Sequence, residues 1–143
     1  MSFASVVQFA LGVANLRQAA DKRSVQVTLS AAGDPELGAF AKVTATNTGH
    51  RPVMVTTIAL ELSSGGRLCS VGHGAALKDT PLPAILSDGQ SAHIYLPYRE
   101  IVATLVTRGQ VGVTKLTPVC EDTGGGIYKG KASKFDPVQF ART

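Results

Sequence analysis

Hydrophobic and polar residues alternate along most of the chain, in short runs separated by turn-forming residues. The longest alternating stretch extends from Ala39 to Leu62 and is interrupted by the turn residues Thr48 to Pro52. Alternation with a period of two is typical of strands that bury one face. The pattern therefore predicts a β-hairpin with Val43, Ala45 and Asn47 on its buried face, continued across the turn by Val53 and Val55.

The alternation changes phase within the second strand of this stretch. After Thr56 and Thr57 the apolar positions become Ile58, Leu60 and Leu62. An extra residue in one strand of a pair restores the buried face after such a shift. We therefore expect a β-bulge near the two threonines.

Further strands and a helix follow from the same reasoning. The apolar positions of Tyr98 to Arg108 recur at helical spacing and end at Gly109, which predicts a short helix. Leu82, Ile85 and Leu86 are expected to tuck under the strands, and Phe135, Val138 and Phe140 to anchor the tail. The remaining strands are predicted at residues 24–30, 67–71, 91–96, 115–121 and 127–132.

Together these elements predict an all-β fold. Short strands with turns every ~8–12 residues are typical of an immunoglobulin-like antiparallel sandwich. We predict about seven strands, an N-terminal helix, and a short helix between the fifth and sixth strands. The 143 residues fit one domain: we assign residues 1–23 to the N-terminal helix and a linker, and residues 24–143 to the sandwich.

The segment from Ser2 to Leu16 has no charged residue. Its apolar residues recur at helical intervals and leave only a thin polar stripe, formed by Ser5, Gln8, Gly12 and Asn15. The predicted helix therefore buries more of its circumference than a surface helix does. Two interpretations stay open: packing against another subunit or partner, and docking on its own domain. The candidate interface residues are Phe3, Val6, Val7, Ala10 and Val13.

Two other interpretations of this segment are less favoured. A signal peptide usually has a basic start and a small-residue cleavage site, and neither is evident before the first predicted strand. A membrane span needs ~20 apolar residues, whereas this run ends at Arg17. Membrane contact through the segment therefore remains the weaker alternative.

Composition and charge narrow the classes of partner. Hydrophobic residues make up 44% of the chain and aromatic residues only 6%, which suits a packed β-sheet. The net charge is +4, and the basic residues are scattered rather than gathered in one block. A nucleic-acid partner is therefore not expected.

Three long pieces of the sequence carry a family resemblance. They are VTATNTGHRPVMVTTIALELSSGGRL (Val43 to Leu68), TPLPAILSDGQSAHIYLP (Thr80 to Pro97) and KLTPVCEDTGGGIYKGK (Lys115 to Lys131). Together they resemble uncharacterised bacterial immunoglobulin-like β-sandwich proteins, in which the domain often follows a membrane-spanning or coiled segment; the predicted helix of this chain is shorter. A looser likeness, to bacterial adhesion modules and virion decoration domains, rests on the alternating strand that ends in Asn47-Thr48-Gly49. The resemblance implies a fold and a possible capsid-associated role, without implying a reaction.

Candidate chemistry in the sequence is sparse. Asp122-Thr123-Gly124 matches the D-T-G of aspartic proteases, which pair two carboxylates to activate water. Asp followed by Gly is also typical of a hairpin turn, and the sequence has no second D-T-G. A hydrolase that uses Asp122 would need a dimer to supply the second carboxylate, so the turn interpretation is favoured.

The other reactive residue types lack the spacing of a site. His50, His73 and His93 and the two cysteines, Cys69 and Cys120, do not have zinc-ligand spacing. The cysteines are interpreted as reduced thiols in preference to an inter-sheet disulfide. Alternate lysines Lys129, Lys131 and Lys134 could contact phosphates, but their favoured role is to protect an edge strand from aggregation.

We therefore expect no catalytic residue, cofactor or metal. The favoured function is a non-enzymatic structural or protein-interaction module, one subunit of a larger assembly formed through its N-terminal helix. A virion decoration or other capsid-associated protein, the dimeric hydrolase that uses Asp122, and ligand binding by the loop Gly72 to Pro83 remain as alternatives.

Overall fold

The computed structural model describes residues 24–34, 38–70, 78–110 and 112–136. These residues form antiparallel strands and one helix. In chain order the elements are β1 (Val25–Asp34), β2 (Gly38–Asn47), β3 (Val53–Leu62), β4 (Arg67–Leu68), β5 (Ala84–Leu86), β6 (Ser91–Pro97), α1 (Tyr98–Thr107), β7 (Thr114–Asp122), β8 (Ile127–Lys129) and β9 (Ser133–Phe135).

The strands form two sheets that enclose one core. The small sheet has the order β1-β2-β6 and the large sheet the order β4-β3-β7-β8, with β5 added beside β3 and β9 beside β7. Alternate side chains from both sheets fill the space between them, as in a β-sandwich. The predicted all-β, sandwich-like architecture is therefore confirmed. The fully buried side chains in this core include Val43, Ala45, Val55, Leu60, Ala92, Leu105 and Cys120.

The predicted hairpin of β2 with β3 is wrong. The hairpin partner of β2 is β1, with Val25 opposite Asn47 and Asp34 opposite Gly38. β3 lies in the large sheet, so residues 48–52 cross from one sheet to the other. Val43 on β2 and Val55 on β3 are both completely buried, because each side chain points across the core towards the opposite sheet. Alternation identifies the buried face of a strand but not the strand beside it.

The predicted bulge in β3 is confirmed. The pairing of β3 with β7 shifts register between Val55 and Thr57. Ile58, Leu60 and Leu62 are consequently buried after the shift, as Val53 and Val55 are before it. One extra residue thus keeps the core face of a ten-residue strand continuous.

The helix predicted at Tyr98 to Arg108 is confirmed and spans Tyr98–Thr107. Ile101 and Leu105 of α1 are buried, and the chain leaves the helix through Gly109, whose φ of +74° favours glycine. The helix follows the sixth strand rather than the fifth, because β5 was not predicted as a strand. With β9, the described part of the chain contains nine strands instead of about seven.

The prediction that Ile85 is buried is wrong. Ile85 and Leu86 are successive residues of β5, so their side chains point to opposite faces of the large sheet. Leu86 enters the core at 3% exposure, whereas the side chain of Ile85 is 62% exposed.

Several predicted features lie outside the described residues. They include the candidate interface residues Phe3, Val6, Val7, Ala10 and Val13, together with His73, Val138 and Phe140. Phe135, the first of the predicted tail anchors, is buried against the core. Within the described ranges, no helix combines the length and hydropathy that crossing a bilayer requires.

Candidate interaction site

Three chain connections meet at one end of the sandwich, which we call the loop end. They are residues 48–52 between β2 and β3, residues 87–90 between β5 and β6, and residues 123–126 between β7 and β8. Helix α1 lies at the opposite end, because it follows Pro97, whose partner Phe40 is at the far end of β2 from Asn47. Surface loops on a rigid sandwich are a common place for recognition.

Asn47 fixes the first two of these connections. It is completely buried, and its Nδ2 donates hydrogen bonds of 2.8 Å to the carbonyls of Arg51 and Leu86. Its Oδ1 accepts the Gly49 amide at 2.9 Å, and its carbonyl accepts the Gly89 amide at 2.8 Å. One side chain thereby joins the crossing segment 48–52 to the end of β5.

Asp122 fixes the third connection. Its Oδ1 accepts the amides of Gly124 and Gly126 at 2.9 and 2.8 Å, and its Oδ2 accepts the Tyr128 hydroxyl at 2.7 Å. A carboxylate that accepts amides two and four residues ahead holds the backbone in a tight turn. Asp122 therefore makes the contacts expected of a turn residue, as the favoured interpretation predicts. These contacts involve both of its carboxylate oxygens.

A cleft opens beside this turn on the outer side of the large sheet. Its volume is about 320 Å³, and we call it the Met54–Ile85 cleft. Met54 and Ile85 are directly opposite each other on β3 and β5, and their exposed fractions are 37% and 62%. Its lining consists of Pro52, Val53, Met54, Ile85, Asp122, Thr123 and Gly124.

The neighbouring part of the same outer face carries a network of four charges. Lys129 Nζ lies 2.9 Å from Glu61 Oε1, and Arg67 bridges Glu61 and Glu121. The hydrogen bond from Lys129, followed by the positive charges of Lys129 and Arg67, lowers the pKa of Glu61. The hydrogen bond to Glu121 raises the pKa of Arg67. Two acidic and two basic groups thus compensate each other.

This network covers small apolar side chains. Ala59 and Val119 form a cross-strand pair on the outer face, yet both are completely buried. Glu61 follows Ala59 by two residues, and Lys129 is directly opposite Val119, so both charged side chains lie on the same face as the pair. The centre of the outer face is therefore polar, and exposed apolar side chains remain at the loop end.

The outer edges of the small sheet are covered in two different ways. At β6, His93 and Thr80 exchange backbone and side-chain hydrogen bonds, and Asp79 Oδ1 accepts the Tyr95 amide at 2.8 Å. At β1, the close approach of Gly130 to the carbonyl of Val27 brings the two sheets together. Unpaired strand edges promote edge-to-edge association, so these contacts protect both edges.

A groove of about 730 Å³ runs between β1 and the segment from Lys129 to Ser133. Lys129 and Lys131 are exposed beside it, in agreement with their predicted position on an edge. Lys129 takes part in the ion pair with Glu61. The choice between edge protection and phosphate contact for these lysines stays a prediction.

The two cysteines are free thiols in this structure. Cys69 is exposed and Cys120 is buried. Burial, together with the negative charges of Asp122 and Glu121, raises the pKa of Cys120 to about 12. The favoured interpretation of two reduced thiols therefore agrees with the structure.

The described histidines take part in local contacts. His50 Nδ1 lies 3.3 Å from Asp88 Oδ2, which links residues 48–52 to residues 87–90. His93 Nε2 lies 2.9 Å from the Lys78 carbonyl. In the part of the chain that the structure describes, no group of three or more His, Cys, Asp or Glu side chains could hold a metal ion.

The sequence contains a signal for one residue of the cleft. Met54 lies between Val53 and Val55, which the alternation already assigned to the core. An apolar residue at an outward position of a strand is a candidate contact residue. Ile85 gave no such signal, because it stands next to Leu86 in a short apolar run whose phase the sequence does not define.

Comparison with known proteins does not identify a family for this chain. No family model and no curated protein matches the chain. A crystal structure of a protein from Archaeoglobus fulgidus is similar at 15% sequence identity, over 79% of this chain and 94% of that chain, with a TM-score of 0.28.

Proposed function

We propose that the protein is a non-enzymatic structural or protein-interaction module that joins a larger assembly through its N-terminal segment. The observation that carries the interaction role is the Met54–Ile85 cleft, where two apolar side chains are exposed between connections held by the hydrogen bonds of Asn47 and Asp122. Exposed apolar side chains on a rigid frame are typical of protein-binding surfaces.

We also propose that the sandwich is immunoglobulin-like. The order of the small sheet, β1-β2-β6, supports this finer class, because the first, second and fifth strands of an immunoglobulin domain are neighbours in one sheet. The adjacent β3, β7 and β8 fit the third, sixth and seventh strands of that fold. On this assignment β4 and β5 are additions at the edge of the large sheet.

The contacts of Asp122 support the non-enzymatic side of the proposal. Both of its oxygens accept hydrogen bonds from its own turn and from Tyr128. A general base has to reach a proton on water or substrate, and Asp122 as a whole residue is only 7% exposed. A peptidase activity of the wild-type protein that is lost in Asp122→Asn would contradict the proposal.

The test of assembly uses the full chain and measures its mass by light scattering. We expect the wild type to self-associate and the double variant Val6→Glu, Val7→Glu to lose that association, because both charges fall on the predicted apolar face. The matched control is Ser5→Glu, Gln8→Glu, which adds the same charge to the predicted polar stripe. Equal masses for the wild type and the Val6, Val7 variant would overturn assembly through this segment.

A further inference from the structure

We infer that the apolar residues of segment 2–16 from one copy of the chain dock in the Met54–Ile85 cleft of a second copy. This inference rests on the proposed function and names the surface that receives the segment.

The chemistry of the cleft matches an uncharged apolar occupant. Pro52, Met54 and Ile85 give it exposed apolar side chains, and its size of about 320 Å³ is that of a small ligand pocket. The ionisable residue in its lining is Asp122, whose carboxylate oxygens already accept three hydrogen bonds. Segment 2–16 contains no ionisable side chain, so docking would bring no second charge next to Asp122.

The segment joins the sandwich at the same end as the cleft. Ser24 precedes β1, and its carbonyl accepts the Thr48 amide at 2.8 Å, while the two hydroxyls lie 2.9 Å apart. Thr48 begins the connection that leads to Pro52 in the cleft lining. Residues 17–23, if extended, span at most about 23 to 25 Å. The segment therefore starts from the loop end and can reach a neighbour placed against it.

The arrangement of the strands favours a second copy over the same copy. β1 packs beside β7 and β8, whereas β5, which carries Ile85, packs beside β6. Ser24 and Ile85 thus lie at opposite edges of the sandwich and on different sheets, which are separated by ~10 Å. Docking within one copy would stretch the linker across the whole loop end. Docking between copies requires a dimer that forms at the loop end, and two-fold dimers are the commonest symmetric assemblies.

The test compares charge substitutions at two equally exposed apolar residues in the full-length protein. Ile85 is 62% exposed in the cleft, and Val106 is 61% exposed on α1 at the opposite end. We expect Ile85→Glu to raise the dimer dissociation constant at least ~30-fold, as truncation of a central interface residue does, and Val106→Glu to leave it unchanged. Concentration-dependent light scattering measures both, and circular dichroism confirms that each variant is folded. Met54→Glu replaces Ile85→Glu if the latter does not fold.

The possible results separate this inference from the proposed function. If Val6→Glu, Val7→Glu abolishes association but the cleft variants do not, the segment mediates assembly through another surface and the inference is wrong. If cleft variants abolish association but the segment variant does not, the cleft receives a different part of the second copy, and the inference is again wrong. Equal effects of Ile85→Glu and Val106→Glu overturn it too. A wild type that is monomeric at every concentration overturns both proposals.

Discussion

Gly130 lies so close to the main-chain carbonyl of Val27 that a Cβ built on Gly130 would be 2.0 Å from that oxygen. The amide of Gly130 also donates to the Pro118 carbonyl at 2.9 Å. Gly130 therefore fits between β1 of the small sheet and β7 of the large sheet, at the seam where the two sheets meet.

Replacement of Gly130 by alanine is expected to lower the free energy of unfolding by about 1 to 3 kcal/mol or more, because a backbone carbonyl cannot yield as a flexible side chain does. Urea denaturation measures the change. The matched control is Gly33→Ala in the extended strand β1, where no atom outside Gly33 and its two chain neighbours lies within 4 Å of a built Cβ; it should leave stability the same or slightly higher. Equal stabilities for Gly130→Ala and the wild type would show that the two sheets can move apart enough at this position to accommodate a methyl group.

Removal of the Tyr128 hydroxyl is expected to destabilise the turn after β7. The hydroxyl donates to the carboxylate of Asp122, and a hydrogen bond to a charged group contributes about 1.5 to 3 kcal/mol. Tyr128→Phe should therefore lower the unfolding free energy by about that amount. The same substitution in an Asp122→Asn background should cost less, since the bond to a charged carboxylate is then absent. Additive losses in this double-mutant cycle would show that the two side chains do not interact.

The two thiols are expected to differ in reactivity. The thiolate is the reactive form, and Cys120 is completely buried with its pKa raised to about 12. Iodoacetamide at pH 8 should therefore label the folded protein once, at the exposed Cys69, and the denatured protein twice. Folded Cys69→Ser should take up no label. Mass spectrometry counts the labels and locates them; rapid modification of Cys120 in folded protein would mean that β7 opens readily.

The ion pair of Glu61 with Lys129 is expected to make stability depend on pH. The folded protein lowers the pKa of Glu61 below its usual value of 4.5. The contribution to stability is therefore present above about pH 4.5 and is lost as the pH falls through the lower, folded pKa. Glu61→Gln should be less stable than the wild type at pH 7, and the difference should shrink at lower pH and in high salt.

Lys129→Gln provides the control for this effect, because it removes the partner that lowers the pKa of Glu61 most. In a Lys129→Gln background, the loss of stability caused by Glu61→Gln should be smaller and should vary less with pH. Thermal unfolding of the four proteins at several pH values would measure both quantities. A loss from Glu61→Gln that stays constant from about pH 3 to pH 7 with Lys129 present would show that the pair does not act in solution.

The sequence predicted most of the local structure because alternation and turn residues are local signals. The burial of Val43, Val55 and Ile58, the bulge after Val55 and the helix around Ile101 and Leu105 all follow from spacing along the chain. The partner of a strand is not a local property. Asn47 was assigned correctly to the buried face, but its role in joining two connections depends on Leu86, which lies 39 residues away.

The candidate site was less accessible to prediction than the fold. The exposure of Ile85 depends on the pairing of a three-residue strand with Met54, and three residues are too few to define a phase. The turn formed by Asp122 was anticipated from the Gly residues that follow it, whereas the bond from Tyr128 requires the geometry of the hairpin.

The crossing of residues 48–52 between the sheets has a consequence for the insertion of foreign peptides. Residues 48–52 and residues 87–90 each connect one sheet to the other. An insertion in either connection would therefore disturb the spacing between the two sheets. Residues 123–126 instead connect β7 and β8, which are neighbours in the large sheet. A displayed epitope between Gly124 and Gly125 would disrupt the hydrogen bond from the Gly126 amide to Asp122, but it should leave the spacing between the two sheets unchanged because both flanking strands belong to a single layer.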